Sequence, residues 1–282
     1  MAEKLGLIDV GGGMRGIYGA GVLDCFLERG LRFDYCIGVS AGAANILSFL
    51  AGQRGRNYRF YTDYAFDKRY MGVGNLLRTG SFFGLDFIYD TLTNIVDPID
   101  YDALLRTKSE FRVVATDAAT GRAAYFGNRD VVKGDMRILM ASCALPAICR
   151  PVEIGGRAYF DGGAADPVPV DTALGEGCDR LVVILTKPVD FIKRRERFRL
   201  VYSTCLTKYP GVIDALDQRH TAYMRSIGEL LRLQEEGRAV IIAPSEDFRM
   251  GTASKKLKLL NRMYELGQKD AAHSLNRLRA VL

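Results

Sequence analysis

Short apolar runs and helical periodicity alternate along the first fifty residues. Leu5–Asp9 is an apolar run leading into three glycines, the pattern of a buried strand entering a tight turn. From Ile17 to Arg29, residues Ile17, Ala20, Leu23 and Leu27 return to one helical face, and Gly30 supplies a stop. Tyr35–Val39 reads as the next strand and Ala41–Leu50 as the next helix. Strand, helix, strand, helix in that order predicts a parallel sheet joined by right-handed crossovers.

The pattern breaks between residues 51 and 100. Arginines and aromatic residues alternate from Gln53 to Tyr70, and the stretch that follows is punctuated by glycine, with clear periodicity only near Phe87–Val96. This segment is expected to be an insertion that covers a site. Regular patterning then resumes. Phe111–Thr116 and Ala123–Phe126 flank a turn at Thr120–Gly121, and Val152–Ile154 and Ala158–Phe160 flank Gly155–Gly156, which predicts two hairpins. Val131–Cys143 reads as a helix and Leu181–Leu185 as a buried strand. A helical stretch around Val212–Glu236, a strand at Val240–Ile242 and a last helix from about Ser254 to Leu278 follow. With no internal repeat, residues 1–282 read as one α/β domain.

Composition removes several classes. Hydrophobic residues make up 48% and charged residues 26%, which excludes wholesale disorder and a multi-span membrane protein. No apolar stretch is long enough to span a bilayer, and the N-terminus lacks the apolar core of a secretory signal. None of the six cysteines forms a CxxC pair and there are two histidines, so no structural zinc site is expected. The cysteines read as buried thiols in a reducing, cytoplasmic compartment. The net charge is +6, and it is uneven: from Lys187 to Lys208 seven bases (Lys187, Lys193, Arg194, Arg195, Arg197, Arg199, Lys208) stand against Asp190 and Glu196. That window is either a solvated face or a patch drawn to an anionic surface.

Three motifs carry candidate chemistry. Gly38-Val39-Ser40-Ala41-Gly42 is a GxSxG between a buried strand and a helix. A serine on such a turn is held into the site in strained geometry, and the flanking Gly38 and Gly42 permit close packing. Gly11-Gly12-Gly13-Met14-Arg15-Gly16 fits GxGxxG. It reads either as a dinucleotide loop or as an oxyanion hole of exposed backbone N–H groups. The first reading needs an acid at the end of the second strand, where Val39-Ser40 stands; Asp34 precedes that strand. Asp161-Gly162-Gly163 follows a strand and offers a base for the serine, or simply a turn. His220 and His273 lie in late helical stretches with no motif around them and read as surface or packing residues.

Together the three motifs resemble the patatin-like phospholipases, in particular bacterial forms. GVLDCFLERG (21–30), ASCALPAICRPVEI (141–154) and FDGGAADPVPV (160–170) carry the same likeness. The resemblance implies a three-layer α/β/α sandwich with a mostly parallel sheet. It implies lipid acyl hydrolysis by a Ser–Asp dyad, with no metal and no cofactor. On this chain Ser40 matches the nucleophile, Asp161 the base supported by Gly162 and Gly163, and Gly11–Gly16 the oxyanion hole. The partners expected are a lipid or acyl-ester substrate and the inner face of a membrane, with no nucleic acid. For membrane contact, Lys193, Arg194, Arg195, Arg197 and Arg199 are expected to supply charge, and Phe82, Phe83 and Phe87 the apolar half.

Overall fold

Eight strands form one sheet in the computed structural model, which describes residues 3–281. They are β1 (Leu5–Asp9), β2 (Tyr35–Val39), β3 (Glu110–Asp117), β4 (Ala123–Gly127), β5 (Val152–Ile154), β6 (Arg157–Asp161), β7 (Arg180–Ile184) and β8 (Ala239–Ile242). The order is β5-β6-β3-β2-β1-β7-β8, with β4 paired to β3 off this path. The run β3-β2-β1-β7-β8 is parallel, while β4, β5 and β6 pair antiparallel.

Side-chain alternation along the central strands explains why both faces are covered. In β2, Cys36 packs into one apolar cluster while Tyr35, Ile37 and Val39 pack into the other. In β7, Val182 and Ile184 face one layer and Leu181 and Val183 the other. A strand buried on both faces reads as a continuous apolar run, which is how these strands stood out in the sequence. Each large side chain buried this way contributes about 1.5–3 kcal/mol.

The helices are α1 (Ile17–Glu28), α2 (Ala41–Leu50), α3 (Arg56–Thr62), α4 (Val73–Thr79), a π-helix (Phe87–Val96), α5 (Tyr101–Leu105), α6 (Arg137–Cys143), α7 (Val170–Gly175), α8 (Arg199–Cys205), α9 (Pro210–Glu235) and α10 (Leu257–Val281). Helices α1, α2 and α10 cover one face, and α7 and α9 the other. Helices α1 and α10 approach at backbone distance. A Cβ on Gly21 would lie 2.2 Å from the Tyr264 carbonyl, and one on Gly267 would lie 2.2 Å from the Tyr18 carbonyl.

One expected helix is shorter than its apolar pattern. Residues 131–136 form a turn in which Val132 bridges Asp135, and the helix begins at Arg137. Gly134 has φ 81°, a left-handed conformation that breaks the helical path. Among the described residues no helix is long and apolar enough to cross a membrane.

Candidate active site

Ser40 stands between β2 and α2 with φ 55° and ψ −130°, strained for a residue other than glycine. Neighbouring glycines make the turn possible. A Cβ on Gly38 would sit 2.4 Å from the Ala43 Cα, and one on Gly42 would sit 2.2 Å from the Asp9 carbonyl oxygen. The Ser40 N–H donates to Ser142 Oγ at 2.9 Å, so the last turns of α6 brace the serine. Helix α2 starts immediately after Ser40 and points its positive end toward it.

Strand pairing brings Asp161 to the same place. β2 runs along β3 until Val39 faces Val114. β4 occupies the opposite edge of β3, so β6 continues along the edge that β2 leaves, with Asp161 facing Ala115. Ser40 and Asp161 therefore leave adjacent register positions on one edge of β3. Asp161 is 2% exposed. Its Oδ1 accepts from the Gly163 N–H at 2.8 Å, and its carbonyl accepts from Thr116 Oγ1 at 2.8 Å. A Cβ on Gly162 would strike the Val114 carbonyl at 2.2 Å, so this turn too requires glycine.

Burial raises the Asp161 pKa above the usual carboxylate range, and the nearby Ser40 hydroxyl, Arg219 and the Gly163 N–H draw it back. The Ser40 hydroxyl is close enough to favour the carboxylate, yet Oδ2 completes no hydrogen bond of normal geometry with any described residue. Such contacts are commonly loose before substrate binds.

In the glycine loop, Gly11, Gly12 and Gly13 have φ of 62°, 120° and 61°, all left-handed. Gly11 donates its N–H to Asp9 Oδ1 at 2.9 Å and accepts from Thr186 Oγ1. The Met14 N–H is taken by the Thr252 carbonyl at 2.9 Å. The N–H groups of Gly12 and Gly13 find no acceptor among the described residues, and both glycines line the cavity that holds Ser40. Both N–H groups are therefore unengaged at the edge of the cavity that holds Ser40. Met14 is buried, Gly16 packs against Tyr61, and Arg15 turns its side chain toward Met250 and Thr252.

Asp9 was not singled out by sequence reasoning. It is fully buried at the end of β1, and Asn45 Nδ2 donates to its Oδ2 at 3.0 Å. Burial pushes its pKa up to about 6, against the hydrogen bonds from Asn45 and Gly11. An acid closing an otherwise apolar strand, two residues before the first of three glycines, was the available signal.

A cavity of about 650 Å³ opens over Ser40, Asp161 and the glycine loop. Phe82, Leu145, Ile148, Phe198 and Val201 give it apolar walls, and Arg15, Lys193 and Arg219 give it charge. A second, mostly apolar chamber of about 60 Å³ lies behind the serine, among Met14, Phe60, Tyr61, Ile88, Tyr89 and Leu139. Ser40, Gly13 and Phe83 border both. Segment 51–100 supplies much of the inner chamber, including the π-helix residues Ile88, Tyr89 and Thr93. Its residues form a wall of that chamber. Neither histidine lines either cavity; His220 is tied through Nδ1 to the Asp217 carbonyl at 3.0 Å, and His273 is exposed.

The expected membrane patch is corrected in part. Phe83 is buried, and Phe82 and Phe87 pack against the core. Leu200 (82% exposed), Phe198, Ile192 and Val201 are the exposed apolar groups within the basic window instead. Lys193 and Arg199 are engaged by Glu196 and Asp217, whereas Arg194 and Arg197 make no ion pair with a described residue.

Residues 10–174 match the family profile described as "Patatin-like phospholipase", and residues 209–282 match a domain of unknown function, DUF6363. Helices α9 and α10 of that second segment pack on the same sheet. The chain is 30% identical over 206 residues to the uncharacterized protein YjjU of Escherichia coli, covering 69% of this chain and 57% of that one. It is 27% identical over 180 residues to an uncharacterized NTE family protein of Mycobacterium tuberculosis, covering 61% and 46%. The chain thus spans about half the length of these two curated relatives. Lysophospholipase nte1 of Aspergillus niger is 24% identical over 301 residues, covering 98% of this chain and 18% of that protein. VipD from Legionella pneumophila aligns in structure with a TM-score of 0.49 and 16% identity, covering 97% and 67%. With more than half of its residues matched by the family profile, the chain belongs to the patatin-like phospholipase family.

Proposed function

We propose that this protein is a lipid acyl hydrolase working through a Ser40–Asp161 dyad. The observation that carries the reading is the delivery of Ser40 and Asp161 to adjacent positions on β3, in a cavity that Gly12 and Gly13, with their free N–H groups, also line. Ser40 Oγ attacks the ester carbonyl while Asp161 takes its proton. Negative charge on the carbonyl oxygen is met by the Gly12 and Gly13 N–H groups and by the positive end of α2; one such donor is worth about 3–4 kcal/mol of barrier. The proton passes to the leaving alcohol. Asp161 then activates a water that releases the acyl group from Ser40.

The larger cavity, with its apolar walls, has room for the ester and its acyl chain, and the inner apolar chamber has room for only a few carbons. The family name and the lysophospholipase relatives support a phospholipid or lysophospholipid substrate. Exposed Leu200 and Phe198, flanked by Arg194 and Arg197, suit contact with an anionic lipid surface at the cavity mouth. The free cysteines suit a reducing cytoplasm.

The test is hydrolysis of a short-chain aryl ester. Ser40→Ala and Asp161→Asn should each abolish nearly all activity, and the double variant should be little worse than either, because groups acting as a unit are not additive. His220→Ala should stay active. A folded His220→Ala protein as inactive as Ser40→Ala would refute the dyad.

A further inference from the structure

Two guanidinium groups face the larger cavity with most of their donors unused. Arg15 leaves the glycine loop, and its Nη1 donates to the Met250 carbonyl at 3.4 Å and to Thr252 Oγ1 at 3.2 Å. Arg219 comes from α9, and its Nη1 donates to Glu196 at 3.2 Å. A guanidinium carries five N–H donors. The Nε of each arginine is buried and finds no acceptor among the described residues. Buried donors in native proteins are nearly always satisfied, so an orphan pair in one cavity calls for an explanation.

Their placement is specific. A Cβ on Gly12 would lie 3.1 Å from Arg15 Nη2, and one on Gly163 would lie 3.2 Å from Arg219 Nη2. One fork therefore rests on the loop that holds the free N–H groups, and the other on the loop that holds Asp161. The charges facing each other here are Arg15, Lys193 and Arg219 against Glu196 and Asp161. Glu196 is committed to Lys193 at 2.7 Å as well as to Arg219. Arg15 and Lys193 are both held below their ordinary pKa, first by burial and then by repulsion from Arg219. The cluster is short of negative charge, and Arg15 makes no ion pair with a described residue.

We propose that Arg15 and Arg219 form a subsite for a phosphate group beside the nucleophile. A planar carboxylate satisfies one fork in bidentate fashion, whereas tetrahedral phosphate presents oxygens to forks on two walls at once. Half of the subsite comes from the segment 209–282, which gives that segment a part in recognition. The orientation of the phosphate toward Ser40 rests on the hydrolase reading; the binding itself does not.

The test has two arms. In the first, inorganic phosphate and glycerol 3-phosphate are titrated by calorimetry and thermal shift into full-length Ser40→Ala protein. Both should bind, and adding Arg219→Gln should weaken binding at least ~10-fold, the loss of a charge-assisted contact. Arg219→Lys, which keeps the charge and loses the fork, should fall between; it carries the comparison if Arg219→Gln fails to fold. In the second, the active protein hydrolyses the butyryl ester of glycerol 3-phosphate and the butyryl ester of glycerol. A change in the strength of Asp161 acts on both esters and cancels in their ratio of kcat/KM. A roughly 10-fold fall of that ratio in Arg219→Gln identifies the phosphate as a substrate headgroup. An unchanged ratio, with Arg219-dependent binding intact, identifies it as free phosphate. No binding of either anion at millimolar concentration, or equal binding with Arg219→Gln and Arg219→Lys, would overturn the subsite. Binding without any ester hydrolysis by the active protein would remove the hydrolase reading and leave the subsite standing.

Discussion

Replacing Asp9 by asparagine should change how stability depends on pH, in a direction set by burial. Asp9 is fully buried, with its pKa pushed from 3.8 up to about 6. Between those values the unfolded chain has released the proton that the folded protein still holds. Stability contributed by this group is therefore greatest at low pH and falls as pH rises through the window. Above about pH 7 the full penalty is about 3 kcal/mol, from 1.36 kcal/mol per unit. Between about pH 4.5 and about pH 7.5 the change is about 2 kcal/mol, or roughly 4 °C in Tm for a chain of this length. Asparagine keeps an acceptor for the Gly11 N–H but loses the one for Asn45 Nδ2, at about 1–3 kcal/mol. That loss is the same at every pH, so the slope carries the test. The assay is thermal unfolding of both proteins across this range. The wild-type Tm minus that of Asp9→Asn should fall by roughly 4 °C as pH rises. A difference that is flat, or that grows with pH, would refute the placement of a buried carboxylate, without an ion-pair partner among the described residues, under the glycine loop.

The serine turn should be intolerant of a single methyl group: Gly42→Ala, facing the Asp9 carbonyl at 2.2 Å, should cost roughly 3 kcal/mol in denaturant unfolding. Gly74→Ala on α4, with open space around it and no left-handed φ, should instead stabilise by up to about 1 kcal/mol. The kcat/KM profile for a neutral soluble ester should show an acid limb above 3.8, because Asp161 acts as a base only when ionised and burial raises its pKa. A limb at or below that value would contradict the burial effect. In co-sedimentation with anionic vesicles, Leu200→Ser combined with Arg194→Gln and Arg197→Gln should pellet less than wild type, and high salt should weaken wild-type binding. Equal pelleting of both proteins would discard the surface contact.

Much of the scaffold was legible because its strands are buried on both faces. Leu5–Asp9 and Tyr35–Val39 have the predicted bounds, and the serine turn and the two hairpins fall where glycine punctuates the chain. The segment 131–136 misled because apolar residues at helical spacing outweighed Gly134, whose left-handed backbone decides the local path. Phe82, Phe83 and Phe87 were expected at the surface. A glycine-broken aromatic stretch has no period that tells inward from outward; there Val73 and Leu77 are exposed while the three phenylalanines pack inward, and the basic window carries its own exposed apolar groups on and beside α8. The partners of the site were the least visible. Ser142 and Arg219 are joined to it by strand pairing and helix packing across long sequence separations. Arg219 sits on a helix whose charged face reads as ordinary solvent exposure.

The dyad is tested most directly by intact-mass analysis after treatment with a fluorophosphonate, which marks an activated serine. Wild-type protein should gain a single adduct, mapped to the peptide containing Ser40. Ser40→Ala should gain none, and Asp161→Asn should react far more slowly. An unlabelled, folded wild-type protein would point to a non-catalytic role for this fold. Labelling that persists in Ser40→Ala would place the nucleophile elsewhere.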